Sequence, residues 1–172
     1  MDWFDSWALT LVTFLPMVGV AMVLLIPRAK EALIKQVALL TTAVTLAVGV
    51  VILFRFDYDA AEKLQFTVDK SWIEVISSRY HIGLDGISLP LLILTLGITL
   101  LCIVYSWDHF PEPHNPKAFL ALILVLETGM AGTFIAQDLI LFFVFFELVL
   151  LPMYFMIGVW GGEQRQYASL KF

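Results

Sequence analysis

In the stretch LFFVFFELVLLPMY, which begins at Leu141, one ionisable side chain, Glu147, stands among Phe, Val and Leu. A charged carboxylate at a bilayer centre costs about 3 kcal/mol on insertion scales. Such a residue persists when it faces a protein interior, pairs with a cation or takes up a proton. Desolvation disfavours a carboxylate and a nearby lysine favours it, so a glutamate whose lysine partner approaches and leaves is a proton switch. The plainer alternative is a protonated Glu147 hydrogen-bonded to a neighbouring helix, holding a bundle together. Because intramembrane ionisable groups are functional by default, Glu147 is the first candidate for proton transfer.

Three further positions bear on it. Pro152 lies five residues on, in the same run; it donates no backbone hydrogen bond and its ring clashes with the carbonyl of Leu148. A helix bend there exposes a polar backbone group beside the carboxylate, as at ion sites in transporters, although membrane helices also carry prolines without such a role. Glu127, in LVLETGMAG, is a second intramembrane carboxylate, with Gly129 and Gly132 nearby to allow close helix packing. If the two carboxyls face each other they share or relay a proton, since like charges hold one group protonated. The alternative is a Glu127 hydrogen-bonded to Thr128 or Thr133. Lys171 opens a segment near the end of the sequence; snorkelling to the interface explains it, with a place in a proton path as the competing reading. His81, His109 and His114 flank the apolar runs at no metal-ligand spacing, and Cys102 is a lone packing residue.

These residues need helices to position them. The chain is 60% hydrophobic, above the 45–50% or so of ordinary globular domains, which points to a membrane protein. A span needs roughly 20 apolar residues. Runs at about 7–26, 37–54, 87–105, 119–136 and 139–160 meet this, with an outer loop at 55–86 and a sixth segment beginning near Ser169. The expected fold is an all-α polytopic membrane protein, with residues 1–172 forming the N-terminal part of a single membrane domain. Barrel strands would alternate apolar with polar residues. Only Gln137 and Asp138 separate the last two spans, so they are antiparallel neighbours. Asp2 and Asp5 replace the basic start of a signal peptide, so the first run reads as a retained anchor. Arg28, Lys30, Lys35, Lys117, Arg165 and Lys171 fall on one side; Arg55, Lys63, Lys70 and Arg79 fall on the other. The first side is expected to be cytoplasmic and the N-terminus outside. In the outer loop Leu64, Phe66 and Val68 alternate with polar residues, and Ile73 and Val75 resume after Asp69–Trp72. That pattern fits a short hairpin, or an irregular loop with Trp72 at the interface. No basic run points to nucleic acid, and no phosphate loop, nucleophile elbow or nucleotide signature is present.

The segments HIGLDGISLPLLILT, AQDLILFF and FFVFFELVLLPMYFMIGVWGG resemble the antiporter-like membrane subunits of respiratory complex I. The Leu-Pro-Met-Tyr-Phe and Trp-Gly-Gly elements resemble the M, or chain-4, type. The resemblance runs from about Ile82 to Phe172. It implies a long antiporter-like helix bundle of which these residues are the start, and a proton-translocating function coupled to NADH:quinone oxidoreduction. Glu147 matches the family's glutamate on the fifth helix, which acts with a lysine on a later helix. Glu127 matches a fourth-helix position that is not always acidic, and Asp85-Gly86-Ser88 matches a structural motif at the start of the third helix. NADH, flavin, iron–sulfur clusters and quinone are then expected in other subunits, leaving this chain with no redox centre and no cofactor. The implied partners are the related L- and N-type subunits and the lipid bilayer, in a bacterial inner membrane. A cation/proton antiporter subunit, the membrane subunit of an energy-converting hydrogenase and a purely structural anchor are the alternatives.

Overall fold

A computed structural model describes residues 3–172. Asp2, one of the two acidic residues weighed against a signal peptide, lies outside the described residues. The described residues form six helices and one hairpin: α1 (Trp3–Leu25), α2 (Glu31–Arg55), β1 (Gln65–Ile73), β2 (Ser78–Leu84), α3 (Ser88–Tyr105), α4 (Pro116–Ile135), α5 (Leu139–Trp160) and α6 (Arg165–Lys171). Five of them, α1 to α5, are long and apolar enough to cross a membrane. The bounds of α5 are those expected from the sequence. In contrast, α2 begins at Glu31 rather than Val37, because the i,i+4 pair Glu31–Lys35 (2.7 Å) supports a charged first turn ahead of the apolar run.

Helix α4 is central, packing against α1, α2, α3 and α5. Buried apolar residues fall into two clusters. One gathers Leu9, Val12, Ile52, Leu92, Leu96, Ala131 and Ile135, and the other Val20, Val23, Ile34, Ala38, Ile103, Leu120 and Leu124. Along α1 to α4, buried polar side chains sit between the clusters: Thr13 on α1, Thr41, Thr42 and Thr45 on α2, Thr99 on α3, Glu127 and Thr128 on α4. The hydroxyls of Thr13, Thr41, Thr42, Thr45 and Thr99 donate to carbonyls three or four residues back. This local bonding lets them lie in an apolar interior without an interhelical partner.

The outer segment is a hairpin, with its turn later than the alternation implied. Residues Gln65–Ile73, which the sequence pattern splits around Asp69–Trp72, form one strand; Asp69, Lys70 and Ser71 pair with His81, Tyr80 and Arg79. The chain reverses at Glu74–Ser77, where Ser77 adopts φ 54°, a left-handed conformation suited to a turn. Val75, assigned to a strand by the pattern, sits in that turn, 94% exposed. A bulge at Phe66–Thr67, with Phe66 at φ 54°, interrupts the ladder between Gln65 and Val68.

Candidate proton-transfer site

The α4–α5 turn sets the direction of the helix that carries Glu147. Asp138 caps α5: its Oδ1 accepts from the amides of Ile140 and Leu141, both at 3.0 Å, satisfying donors that a helix start leaves free. The same carboxylate accepts from the Ser78 hydroxyl (3.0 Å) and the Arg79 amide (3.3 Å) on β2. Its pKa lies below the usual carboxylate range, first because of the Leu141 amide and then through Arg79, Ser78 and Ile140. The Gln137 amide donates to the His81 carbonyl at 2.9 Å, and Ile82 bridges Ala136. The hairpin therefore grips the turn from which α5 departs. The sequence marked Gln137-Asp138 only as a tight turn; an Asp just before an apolar run is also an N-cap signal.

Glu147 lies two turns and a little more along α5, exposed from the bundle. It borders a cleft of about 530 Å³ shared with Leu150, Leu151, Tyr154, Ser169 and Leu170, where α6 folds back beside α5. Among the described residues it has no hydrogen bond and no ion pair. A protonated Glu147 bonded to a neighbouring helix is therefore not the arrangement of these residues. Pro152 is buried within α5, which runs unbroken from Leu139 to Trp160. Its missing amide proton leaves the Leu148 carbonyl, next to Glu147, without its helical donor. Lys171 does not line the cleft; its ammonium lies over the Tyr167 ring, 5.6 Å from the centroid.

Glu127 stands elsewhere. A side chain at Gly132 would run into the Phe145 ring, and one at Gly129 would meet Val149 at 2.9 Å, so these glycines mark the face of α4 against α5. At 100° per residue, Glu127 is about 200° round the helix from Gly129. It is fully buried, and among the described residues neither carboxyl oxygen has a hydrogen-bond partner. Of the two arrangements open from the sequence, facing carboxyls are not what these residues adopt, because the small residues that bring α4 onto α5 turn Glu127 away. The alternative bonds to Thr128 and Thr133 are not made either: Thr133 donates to the Gly129 carbonyl at 2.8 Å, and the Thr128 hydroxyl has no partner among the described residues.

At the start of α3, Asp85 accepts from the Ile87 and Ser88 amides at 3.1 and 2.7 Å, which with the Ser88 contact foremost lowers its pKa. The Gly86 amide donates to the Ala61 carbonyl, and a Cβ there would lie 2.9 Å from Ala61 Cβ. The Asp-Gly-Ile-Ser run is a fastening between loop and helix. Of the histidines, His114 bonds Glu31 at 3.0 Å and His109 stacks on Tyr105. No group of three or more metal-binding side chains occurs among the described residues.

The profile of NADH-ubiquinone oxidoreductase chain 4, amino terminus, matches residues 10–133. That of the NADH:quinone oxidoreductase/Mrp antiporter transmembrane family matches residues 136–172. NADH-quinone oxidoreductase subunit M of Rickettsia typhi is 37% identical over 170 residues, covering 95% of this chain and 34% of the relative. The subunit M of Rhodobacter capsulatus is 39% identical over 168 residues, with 95% and 32% covered. Respiratory complex I from Thermus thermophilus contains a similar fold, with TM-score 0.74 and 24% identity over 94% of this chain and 31% of that one. A membrane-bound sulfane sulfur reductase, an archaeal respiratory membrane complex, shares it at TM-score 0.72 and 20% identity, over 95% and 24%. The chain thus spans about a third of the length of the curated relatives it matches. With one profile covering most of the sequence and relatives above 30% identity along nearly all of it, the chain belongs to the NADH-ubiquinone oxidoreductase chain 4 family.

Proposed function

We propose that this chain is the N-terminal part of a proton-translocating membrane subunit of an NADH:quinone oxidoreductase, with no redox centre of its own. The observation that carries this reading is the setting of Glu147. It is an ionisable side chain in the middle of an apolar span, turned out of the bundle into a cleft, with no cation beside it among the described residues. A group so placed suits a cationic side chain that arrives from a later helix, as the family resemblance implies. Approach of that cation stabilises the carboxylate, and its withdrawal lets the carboxyl take a proton. The Leu148 carbonyl that Pro152 leaves without a donor offers a polar contact for water at the carboxylate. Glu127, on the far side of α4, stands off this path, and Lys171 serves as an interfacial anchor.

In this reading NADH, flavin, iron–sulfur clusters and quinone belong to other subunits, and the neighbours in the membrane include the related L- and N-type subunits. The protein sits in a bacterial inner membrane with its N-terminus and hairpin outside. The test is NADH-driven proton uptake in membranes carrying Glu147→Gln, with assembly followed on native gels. Gln keeps size and hydrogen bonding but removes the titratable proton, so most pumping and the coupled NADH oxidation are expected to be lost. Normal pumping in an assembled mutant would retire the proposal in favour of a structural anchor.

A second reading, a cation/proton antiporter subunit or the membrane subunit of an energy-converting hydrogenase, is supported by the antiporter in the description matched at residues 136–172. Co-purification separates them: NADH-oxidising flavoprotein polypeptides support the first, and hydrogenase polypeptides or none support the second.

A further inference from the structure

At the end of the bundle opposite the hairpin, the α1–α2 turn, the α3–α4 loop and the end of α5 enclose a cleft of about 420 Å³. Arg28, Glu31, His114, Asn115, Lys117 and Val159 line it. Its one lining carboxylate is engaged, with Glu31 lying 2.7 Å from the Lys35 ammonium and 3.0 Å from the His114 ring. The neighbouring Glu112 carboxylate accepts from the His114 amide at 3.0 Å. The cations of the cleft are not matched in this way. Lys117 gives two donors to the Leu24 and Ile26 carbonyls, each at 2.8 Å, at the end of α1. An ammonium has three donors, so one is left, and among the described residues its charge meets no carboxylate. Arg28 is exposed and, among the described residues, makes no hydrogen bond or ion pair. Its guanidinium has five donors in a planar fork suited to a phosphate.

The position of these cations selects the kind of anion. Arg28 sits in the turn between the candidate spans Phe4–Leu25 and Glu31–Arg55, and Lys117 in the first turn of Pro116–Ile135, at the depth of lipid headgroups. Leu24 and Leu25, four and three residues before Arg28 at the end of α1, are 56% and 85% exposed. A ligand that fits both halves is an anion carrying apolar chains.

We propose that this cleft binds the phosphate of an anionic phospholipid, held by Arg28 with help from Lys117, with the acyl chains running along Leu24 and Leu25. Basic pockets between membrane helices hold such headgroups, and a free phosphate would leave the leucines uncovered. The site is separate from Glu147 and does not depend on its role. Its effect is to hold the α1–α2 turn and the start of α4 against an anionic leaflet.

The test uses the assembled protein in its membrane, with a photoactivatable phosphatidylglycerol as probe and the crosslinked peptides identified by mass spectrometry. Label is expected on the peptides around Leu24–Glu31 and Asn115–Lys117. Unlabelled phosphatidylglycerol should compete, whereas phosphatidylcholine and inorganic phosphate at the same concentration should not. Arg28→Gln removes a side chain without partners, so the fold is retained, and labelling should fall about five-fold, the effect of one basic residue at a membrane surface. Arg28→Lys should fall less, and raised salt should weaken labelling. Unchanged labelling in Arg28→Gln, or equal competition by phosphatidylcholine, would overturn the proposal. Equal competition by inorganic phosphate would also overturn it, as the mark of a simple anion site.

Discussion

At the scale of single residues, the two intramembrane glutamates differ in surroundings more than in sequence. Each stands in an apolar run on adjacent spans. Glu147 opens onto a cleft, while Glu127 is enclosed, with no hydrogen-bond partner for either oxygen among the described residues. An enclosed side chain with no polar partner is a poor station on a path for protons, whereas one that lines a cleft is accessible. The expected outcome is that Glu127→Gln retains most proton pumping at matched assembly, in contrast to Glu147→Gln. Equal losses in the two mutants would revive a relay through both carboxyls, despite their opposite placement on α4 and α5.

At the scale of elements, the hairpin and α5 act on each other through Asp138. One carboxylate receives two α5 amides, a β2 hydroxyl and a β2 amide. These contacts depress its folded-state pKa. A depressed carboxyl pKa adds stability that is complete above the unfolded value of about 3.9 and is lost as pH falls through the lower folded value. Asp138→Ala is therefore expected to unfold at lower temperature than wild type at neutral pH. The gap should close below about pH 3.9, where the native carboxyl also becomes protonated. A gap independent of pH in thermal unfolding would show that the effect is one of packing. On the other face of the pair, Gly132 and Gly129 admit Phe145 and Val149, so hairpin, cap and glycines together set where Glu147 points.

At the scale of the whole molecule, the two ends of the bundle carry different chemistry. One gathers Arg28, Lys35, His114 and Lys117 around the α1–α2 turn. The other holds the hairpin, with Arg55 paired to Asp5 at 3.0 Å and Arg79 to Asp69 at 2.6 Å. If the first end is cytoplasmic, Val75→Cys at the hairpin tip is labelled by a membrane-impermeant thiol reagent in right-side-out vesicles. Lys30→Cys is then labelled only after inversion. The opposite pattern would reverse the topology.

The sequence by itself determined the class of protein, its five apolar helices, the bounds of α5 and the sorting of basic residues to two ends. These follow from local hydropathy and charge, which any stretch of chain displays without its neighbours. It also singled out Glu147, because an ionisable group in an apolar run is visible in one dimension. The hairpin was only half legible, since its register rests on pairings such as Asp69 with His81 and on the positive φ of Ser77. Tertiary structure alone decided that Glu127 and Glu147 do not face each other. That outcome depends on which side of α4 receives Phe145 and Val149, a matter of three-dimensional packing that the spacing of two carboxylates cannot report. The same holds for Asp138 and for Arg28: one is engaged by a strand some sixty residues earlier in the chain, the other gathered with Lys117 from another helix. Contacts between distant segments exist only once the helices have packed.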